Sequence, residues 1–245
     1  MSGMHFERMA AEYAGARPPY PGVVFDTLET AGVIGDGRRV LEIGAGAGLA
    51  TEELVRRGSE VTALEPGPRL AALIRDAVPA VREVLPVRLE DAHLDAGVFD
   101  SVVAATSLHW VDLSVGLPVI HGALRPHGWL AVWRTVFGDD DVRTPFRDRV
   151  HEIVSRRDQR DEPAGELRPT VDELAAGGWF EPVRTEHWRW SIDLSARQVG
   201  RLFATFSTWT PAEAAAAEQA ADDLGGRVTE HYRSLLHLLR RTPRG

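Results

Sequence analysis

The sequence predicts an α/β chain built on a parallel sheet, and three observations carry that prediction. Short β-branched runs alternate with helical stretches for about a hundred residues. A glycine-rich turn follows the first run. The fourth run, Phe99–Ala105, is apolar enough to be buried on both faces, as parallel strands are.

In chain order, Pro21 to Leu28 has proline at a helix start and stops at Gly32. Arg39–Ile43 reads as the first strand and runs into Gly44-Ala45-Gly46-Ala47-Gly48. Leu49–Arg57 is helical and ends at Gly58. Glu60–Glu65 reads as a second strand, Pro68–Ala77 as a second helix and Pro86–Leu89 as a short third strand. Phe99–Ala105 forms the fourth strand, Leu113–Leu124 a helix despite Pro118, and Gly128–Val136 the fifth strand. After Val136 the alternation fades. Residues 139–168 mix arginines with acids and read as a solvated helix and loops. Thr170–Gly177 suggests a helix capped by Thr170. Residues 183–194 alternate as a strand, Ala212–Ala221 is an alanine-rich helix, and 228–240 hold a last strand candidate. No repeat or long linker divides the chain, so 1–245 reads as one domain.

Composition removes several chemistries. The 245 residues contain no cysteine, lysine or asparagine, and all 28 basic residues are arginine. Disulfides, thiolate metal sites, Cys nucleophiles, Schiff-base lysines and P-loop lysines are therefore excluded. This bias matches a GC-rich bacterial coding sequence. A net charge of −8 argues against a nucleic-acid partner. No apolar stretch reaches the roughly 18 residues of a membrane span, and the N-terminus lacks a signal-peptide pattern. The expectation is a cytoplasmic protein with neither nucleic acid nor membrane as partner.

The segment Val40–Thr51, VLEIGAGAGLAT, is the most informative. Glycines between strand and helix let backbone approach a ligand, but the third glycine comes one position early for a dinucleotide fold. Glu42 would repel a pyrophosphate seated at the helix N-terminus. It suits a ligand with a cation and no phosphate, such as S-adenosylmethionine. Glu65 ends the second strand 21 residues past Gly44, where an acid accepts hydrogen bonds from ribose hydroxyls. Asp91 follows the third strand, in position to meet an adenine amino group. Three acids at successive strand ends on the loop side predict a nucleoside site.

These features, in this order, resemble the class I S-adenosylmethionine-dependent methyltransferases. The resemblance covers the E-x-G-x-G-x-G loop, Ala63-Leu64-Glu65-Pro66-Gly67, the Glu90-Asp91-Ala92 step and Phe99-Asp100-Ser101-Val102-Val103. Leu124-Arg125-Pro126-His127-Gly128-Trp129-Leu130 is similar to the family's L-x-P-G-G-x-L turn, with His127 in place of the first glycine. Ser107-Leu108-His109-Trp110-Val111-Asp112 and Tyr13–Pro21 resemble the small-molecule, trans-aconitate methyltransferase-like subgroup. So does Gly225-Gly226-Arg227-Val228 before Tyr232.

The resemblance implies a Rossmann-like seven-stranded sheet of order 3-2-1-4-5-7-6 with helices on both faces. Its last strand is antiparallel, and a C-terminal helical cap is added. It further implies cofactor-covering helices in 1–32, a cofactor core in 33–138, and an acceptor cap with the last two strands in 139–245. By the same resemblance Glu42 meets the methionyl amino group, and Gly44, Ala45, Gly46 and Gly48 wrap the cofactor. Glu65, with Pro66 beside it, holds the ribose, while Asp91 and the Ala92 amide read adenine. Ala105 offers its carbonyl to the amino group, and Tyr13 and Arg17 close over the cofactor. A surface role for Arg17, beside its Pro-rich turn, is the alternative.

Methyl transfer from a sulfonium needs alignment above all; a hydroxyl or protonated nitrogen acceptor also needs a base. His109, after the fourth strand, is the candidate base, or else a histidine packed under Trp110. Trp110 walls the acceptor pocket or belongs to the core. Trp188 and Trp190 share one strand face, and packing explains them. No H-x-x-x-H spacing occurs, so no metal is expected. Arg17-Pro18-Pro19-Tyr20 is similar to an amino-methyltransferase signature but precedes the glycine loop, so that reading fails. The reaction expected is methylation of an oxygen, nitrogen or carbon of a small molecule, with a bacterial secondary metabolite as one acceptor class. The competing readings are a SAM-binding protein without transfer and an NAD(P)-dependent oxidoreductase.

Overall fold

The computed structural model describes residues 15–157 and 168–243. Their order is α1 (Gly22–Thr30), β1 (Arg39–Ile43), α2 (Leu49–Arg56), β2 (Glu60–Leu64), α3 (Pro68–Ala77), β3 (Glu83–Leu85) and β4 (Phe99–Ala105). Then come α4 (Leu113–Ala123), β5 (Leu124–Phe137), α5 (Pro145–Ser155), α6 (Val171–Ala175), β6 (Phe180–Ser195), α7 (Ala196–Ala204), α8 (Pro211–Asp223) and β7 (Arg227–Arg241). The seven strands form one sheet in the order β3-β2-β1-β4-β5-β7-β6, with β7 antiparallel. The fold is the Rossmann-like one expected.

β1 pairs in parallel with β2 and β4, so Glu42 lies between Ala63 and Val103. β4 pairs in parallel with β5, bringing Ala105 opposite Trp133. The β4–β5 register jumps between Phe99↔Leu124 and Ser101↔Trp129, and the intervening chain turns through His127 at φ +59°. That turn is the segment in which a histidine stands where the resembled family has a glycine.

Three expectations shift. The third strand occupies Glu83–Leu85, before the residues expected, because Pro86 has no N–H for the ladder. Leu89–Asp91 is instead a single 3-10 turn. The fifth strand begins at Leu124, ahead of Gly128. α5 in the charged 139–168 stretch is not wholly solvated: Phe146 and Val150 are buried.

The described residues fall into two compact units. One is drawn from Pro19–Arg134, Glu166–His187 and Leu235–Gly245. Its core on one sheet face includes Leu41, Leu64, Val102, Leu108, Leu117, Ile120 and Leu130. Ala63, Ala71, Ile74 and Val84 form a second cluster there. The other unit is drawn from Met1–Pro18, Thr135–Gly165 and Trp188–Ser234. It packs α5, α7 and α8 through Phe146, Val199, Leu202, Phe203 and Ala217, and Arg147 pairs with the buried Glu230. Both α7 and α8 open with capping boxes, at Ser195 with Gln198 and at Thr210 with Glu213. No described helix is long and apolar enough to cross a membrane.

Candidate active site

The site is built at the carboxyl ends of parallel strands, where an open α/β sheet leaves a crevice for ligands. Glu42 is 1% exposed. Its Oε2 accepts a hydrogen bond from the Thr51 hydroxyl at 2.7 Å, and its Oε1 is buried without a partner. Burial, reinforced by the neighbouring Glu65 charge and only partly offset by the Thr51 bond, pushes its carboxyl up to about 8. A buried acid with one unpartnered oxygen can accept from a cationic donor.

The glycine loop shows why glycine is required. Gly44 has φ +65°, and a Cβ there would lie 2.6 Å from the Ser107 Cβ. Ser107 also donates through its hydroxyl to the Ile43 carbonyl, joining the loop to the end of β4. The amides of Gly44 and Ala45 donate to the Leu64 carbonyl at 2.8 and 3.0 Å. Gly46 and Gly48 are also left-handed, at φ +59° and +87°. Gly48 is the N-cap of α2.

Glu65, just past β2, is buried, and its carboxylate spans two loops. One oxygen accepts the Gly46 amide and the other the Gly67 amide, each at 2.8 Å. Each oxygen has a second lone pair. Pro66 beside it is exposed. Asp91 is exposed at the end of the 3-10 turn, and the Ala92 amide donates to Leu89 at 3.2 Å. The neighbouring Glu90 accepts the Asp112 amide at 3.2 Å, tying this turn to the start of α4. The Ala105 carbonyl accepts the Tyr20 hydroxyl at 3.2 Å. Tyr20 itself stands edge-on to Phe25 and Trp133.

His109 lies on a 3-10 turn at Leu108–Trp110, its ring 4.6 Å from that of Trp110. Burial, with the nearby Arg134 charge, lowers its imidazole to about 4, so it is neutral near pH 7. Trp110 is 52% exposed, which removes the core alternative for it. His109 lines a shallow open cleft with Thr106, Ser107, Val132, Trp133, Arg134, Arg168, Pro169, Leu235 and His237. Trp110 is not among the lining side chains.

The structure thus gathers Glu42, Gly44, Ala45, Gly46, Gly48, Glu65, Pro66, Ala105 and His109 along the ends of β1, β2 and β4, with Asp91 and Ala92 beyond β3 in the same unit. Arg17 belongs to the other unit. There its guanidinium bonds the Thr205 hydroxyl at 3.0 Å and lies over the rings of Phe137 and Phe206. Tyr13 lies outside the described residues. In that second unit Trp190 donates to the Ser234 hydroxyl at 3.0 Å and packs on Tyr232, as the packing reading expects. Sequence reasoning passed over Thr51, Ser107 and Arg134. Thr51, in the first turn after the glycines, and an arginine ending the apolar run Trp129–Trp133 were the available signals.

Comparison with known proteins gives the same reading. The profile described as "Methyltransferase domain" matches residues 41–132. An uncharacterized methyltransferase of Mycobacterium tuberculosis is 35% identical over 205 residues, covering 83% of this chain and 77% of the relative. A ubiquinone biosynthesis O-methyltransferase of Methylocella silvestris is 36% identical over 97 residues, 38% of each chain. Among solved structures, a putative type II methyltransferase from Anaeromyxobacter dehalogenans shares the fold at TM-score 0.64 and 22% identity, covering 93% of this chain and 99% of that one. Together with the glycine loop and the sheet order, a relative this similar over most of its length makes this chain a member of the class I S-adenosylmethionine-dependent methyltransferases, an enzyme whose cofactor is S-adenosylmethionine.

Proposed function

We propose that this enzyme methylates a small molecule held in the cleft beside His109. The observation that carries the reading is the cleft itself, which lies just past the end of β4, beside Val132–Arg134 of β5, and has a neutral imidazole on its wall. The acidic chain, with a net charge of −8, favours a small acceptor over a nucleic acid. The ubiquinone-pathway relative, by its name, acts on a small molecule too.

The residues present suit the cofactor. The orphaned Glu42 Oε1 awaits a cationic group, which the methionyl ammonium provides, and the left-handed glycines allow close backbone approach. Glu65 holds the ribose hydroxyls, Asp91 and Ala92 are the adenine readers, and Ala105 offers its carbonyl. Gly44, Ala45, Gly46, Gly48 and Pro66 shape the wall around them. When bound, the cofactor supplies an electrophilic methyl group.

The chain's own work is alignment and proton removal. His109, neutral, accepts the proton of an acceptor hydroxyl or ammonium, and Trp110 shields the imidazole from solvent on one side. A screen of small-molecule, peptide and RNA acceptors, read as S-adenosylhomocysteine formed, tests the reading. Turnover with small molecules is expected; turnover confined to macromolecules would refute it.

A further inference from the structure

We propose that Arg134 recognises an anionic group on the methyl acceptor, with the His237 imidazole as a second donor. The proposal rests on the reading that the cleft beside His109 takes the acceptor. Arg134 follows Trp133 in the carboxyl-terminal part of β5 and is half-buried on the cleft wall. Its hydrogen bond goes to a neutral group, the Arg168 carbonyl, at 3.0 Å. Among the described residues it has no carboxylate partner, and no aspartate or glutamate lines the cleft.

Acids outnumber arginines 36 to 28, and the half-buried Arg147 and Arg157 each have a glutamate. A half-buried guanidinium loses part of its hydration, and a ligand that brings the opposite charge offsets that cost. Burial alone lowers the Arg134 pKa, yet an arginine stays charged near neutral pH.

A second group points the same way. His237 is 5% exposed and lines the same cleft. Its Nδ1 lies 2.9 Å from the Thr185 hydroxyl, whereas its Nε2 is buried with no partner. In the tautomer that accepts the Thr185 proton at Nδ1, Nε2 carries the hydrogen and is a donor without an acceptor. An oxyanion between this N–H and the guanidinium satisfies both. Carboxylate and phosphate share that chemistry, and the planar fork of arginine binds either in bidentate fashion.

The test uses the full chain saturated with S-adenosylhomocysteine and titrated with succinate, inorganic phosphate and, as the uncharged counterpart, succinamide. Binding is read by calorimetry and by the ring-proton resonances of His109 and His237. The expected result is saturable binding of at least one anion and none of succinamide. Anion affinity should fall about tenfold or more in Arg134→Gln, less in Arg134→Lys and about fivefold in His237→Gln. S-adenosylhomocysteine affinity should stay unchanged in all three. If Arg134→Gln does not fold, the lysine variant and His237→Gln decide the matter by the same ranking.

No anion binding to the wild type, or equal binding by Arg134→Gln, overturns the proposal. A parallel loss of S-adenosylhomocysteine affinity would place the guanidinium on the cofactor's carboxylate and also overturns it. Competition separates this inference from the reading beneath it. If neither anion binds but a neutral small molecule is turned over, the anion assignment fails and the acceptor reading stands. If an anion binds through Arg134 without slowing methyl transfer, it is the acceptor reading that fails.

Discussion

Replacing Glu42 by glutamine tests the electrostatics of the site directly. The carboxyl is fully buried, and its pKa stands at about 8 in the folded chain against 4.5 for the free group. Folding therefore favours the protonated acid. Its contribution to stability is fully present below pH 4.5 and is lost as pH rises to about 8. At pH 7 the loss is about 3 kcal/mol, from 1.4 kcal/mol per unit of separation. Glutamine has a similar shape and does not titrate. Glu42→Gln should match the wild type near pH 4.5 and exceed it by about 3 kcal/mol at pH 7. For a chain of this size that is about 6–12 °C in Tm.

The same substitution should weaken binding of S-adenosylmethionine, because the group proposed to meet the ammonium no longer ionises. In the wild type at pH 7, binding should expel close to one proton as Glu42 is forced into its charged form. Calorimetry in phosphate and in Tris, whose ionisation enthalpies differ, reads that proton, and Glu42→Gln should release none. A stability difference that does not change between pH 4.5 and 8, or cofactor binding without proton release, would refute the reasoning.

Four further outcomes follow from the geometry. His109→Ala should lower kcat by about a hundredfold or more with cofactor affinity intact, and unchanged turnover would remove it as the base. Because its imidazole sits at about 4, wild-type kcat should show no histidine step between pH 5 and 8. Gly44→Ala forces a Cβ against Ser107 at φ +65°, and should cost about 1–3 kcal/mol in thermal unfolding and weaken the cofactor. In the other unit, Arg147→Ala leaves Glu230 buried and unpaired, and should destabilise by about 3–5 kcal/mol in denaturant unfolding.

Much of the core was legible in sequence because parallel strands are short, apolar and punctuated by glycine. The glycine loop, Glu42 and Glu65 stand out as charged or flexible residues at the ends of apolar runs, and the sheet brings those ends together. The third strand was misplaced because Pro86, a ladder breaker, sits beside apolar Leu85 and Val87. α5 read as solvated because its buried residues, Phe146 and Val150, are spaced four apart among charges. Arg134 was passed over for a physical reason: an arginine at a strand end looks solvated until the acids that would neutralise it are found to be elsewhere. The elevated pKa of Glu42 likewise depends on β2, β4 and α2 closing around it, which no local pattern encodes.

The Glu65 carboxylate, bonded to Gly46 on one side and Gly67 on the other, acts as a gauge of length. Its reach sets the gap between the two loops before any ligand arrives, so the ribose would meet an opening already cut to size. An aspartate keeps the charge but is one methylene shorter and would have to release one of the two amides. Glu65→Asp should therefore leave the electrostatics nearly intact and still loosen the loop, with faster amide hydrogen exchange at Gly46 or Gly67. At this position the identity of the acid carries information that its charge does not.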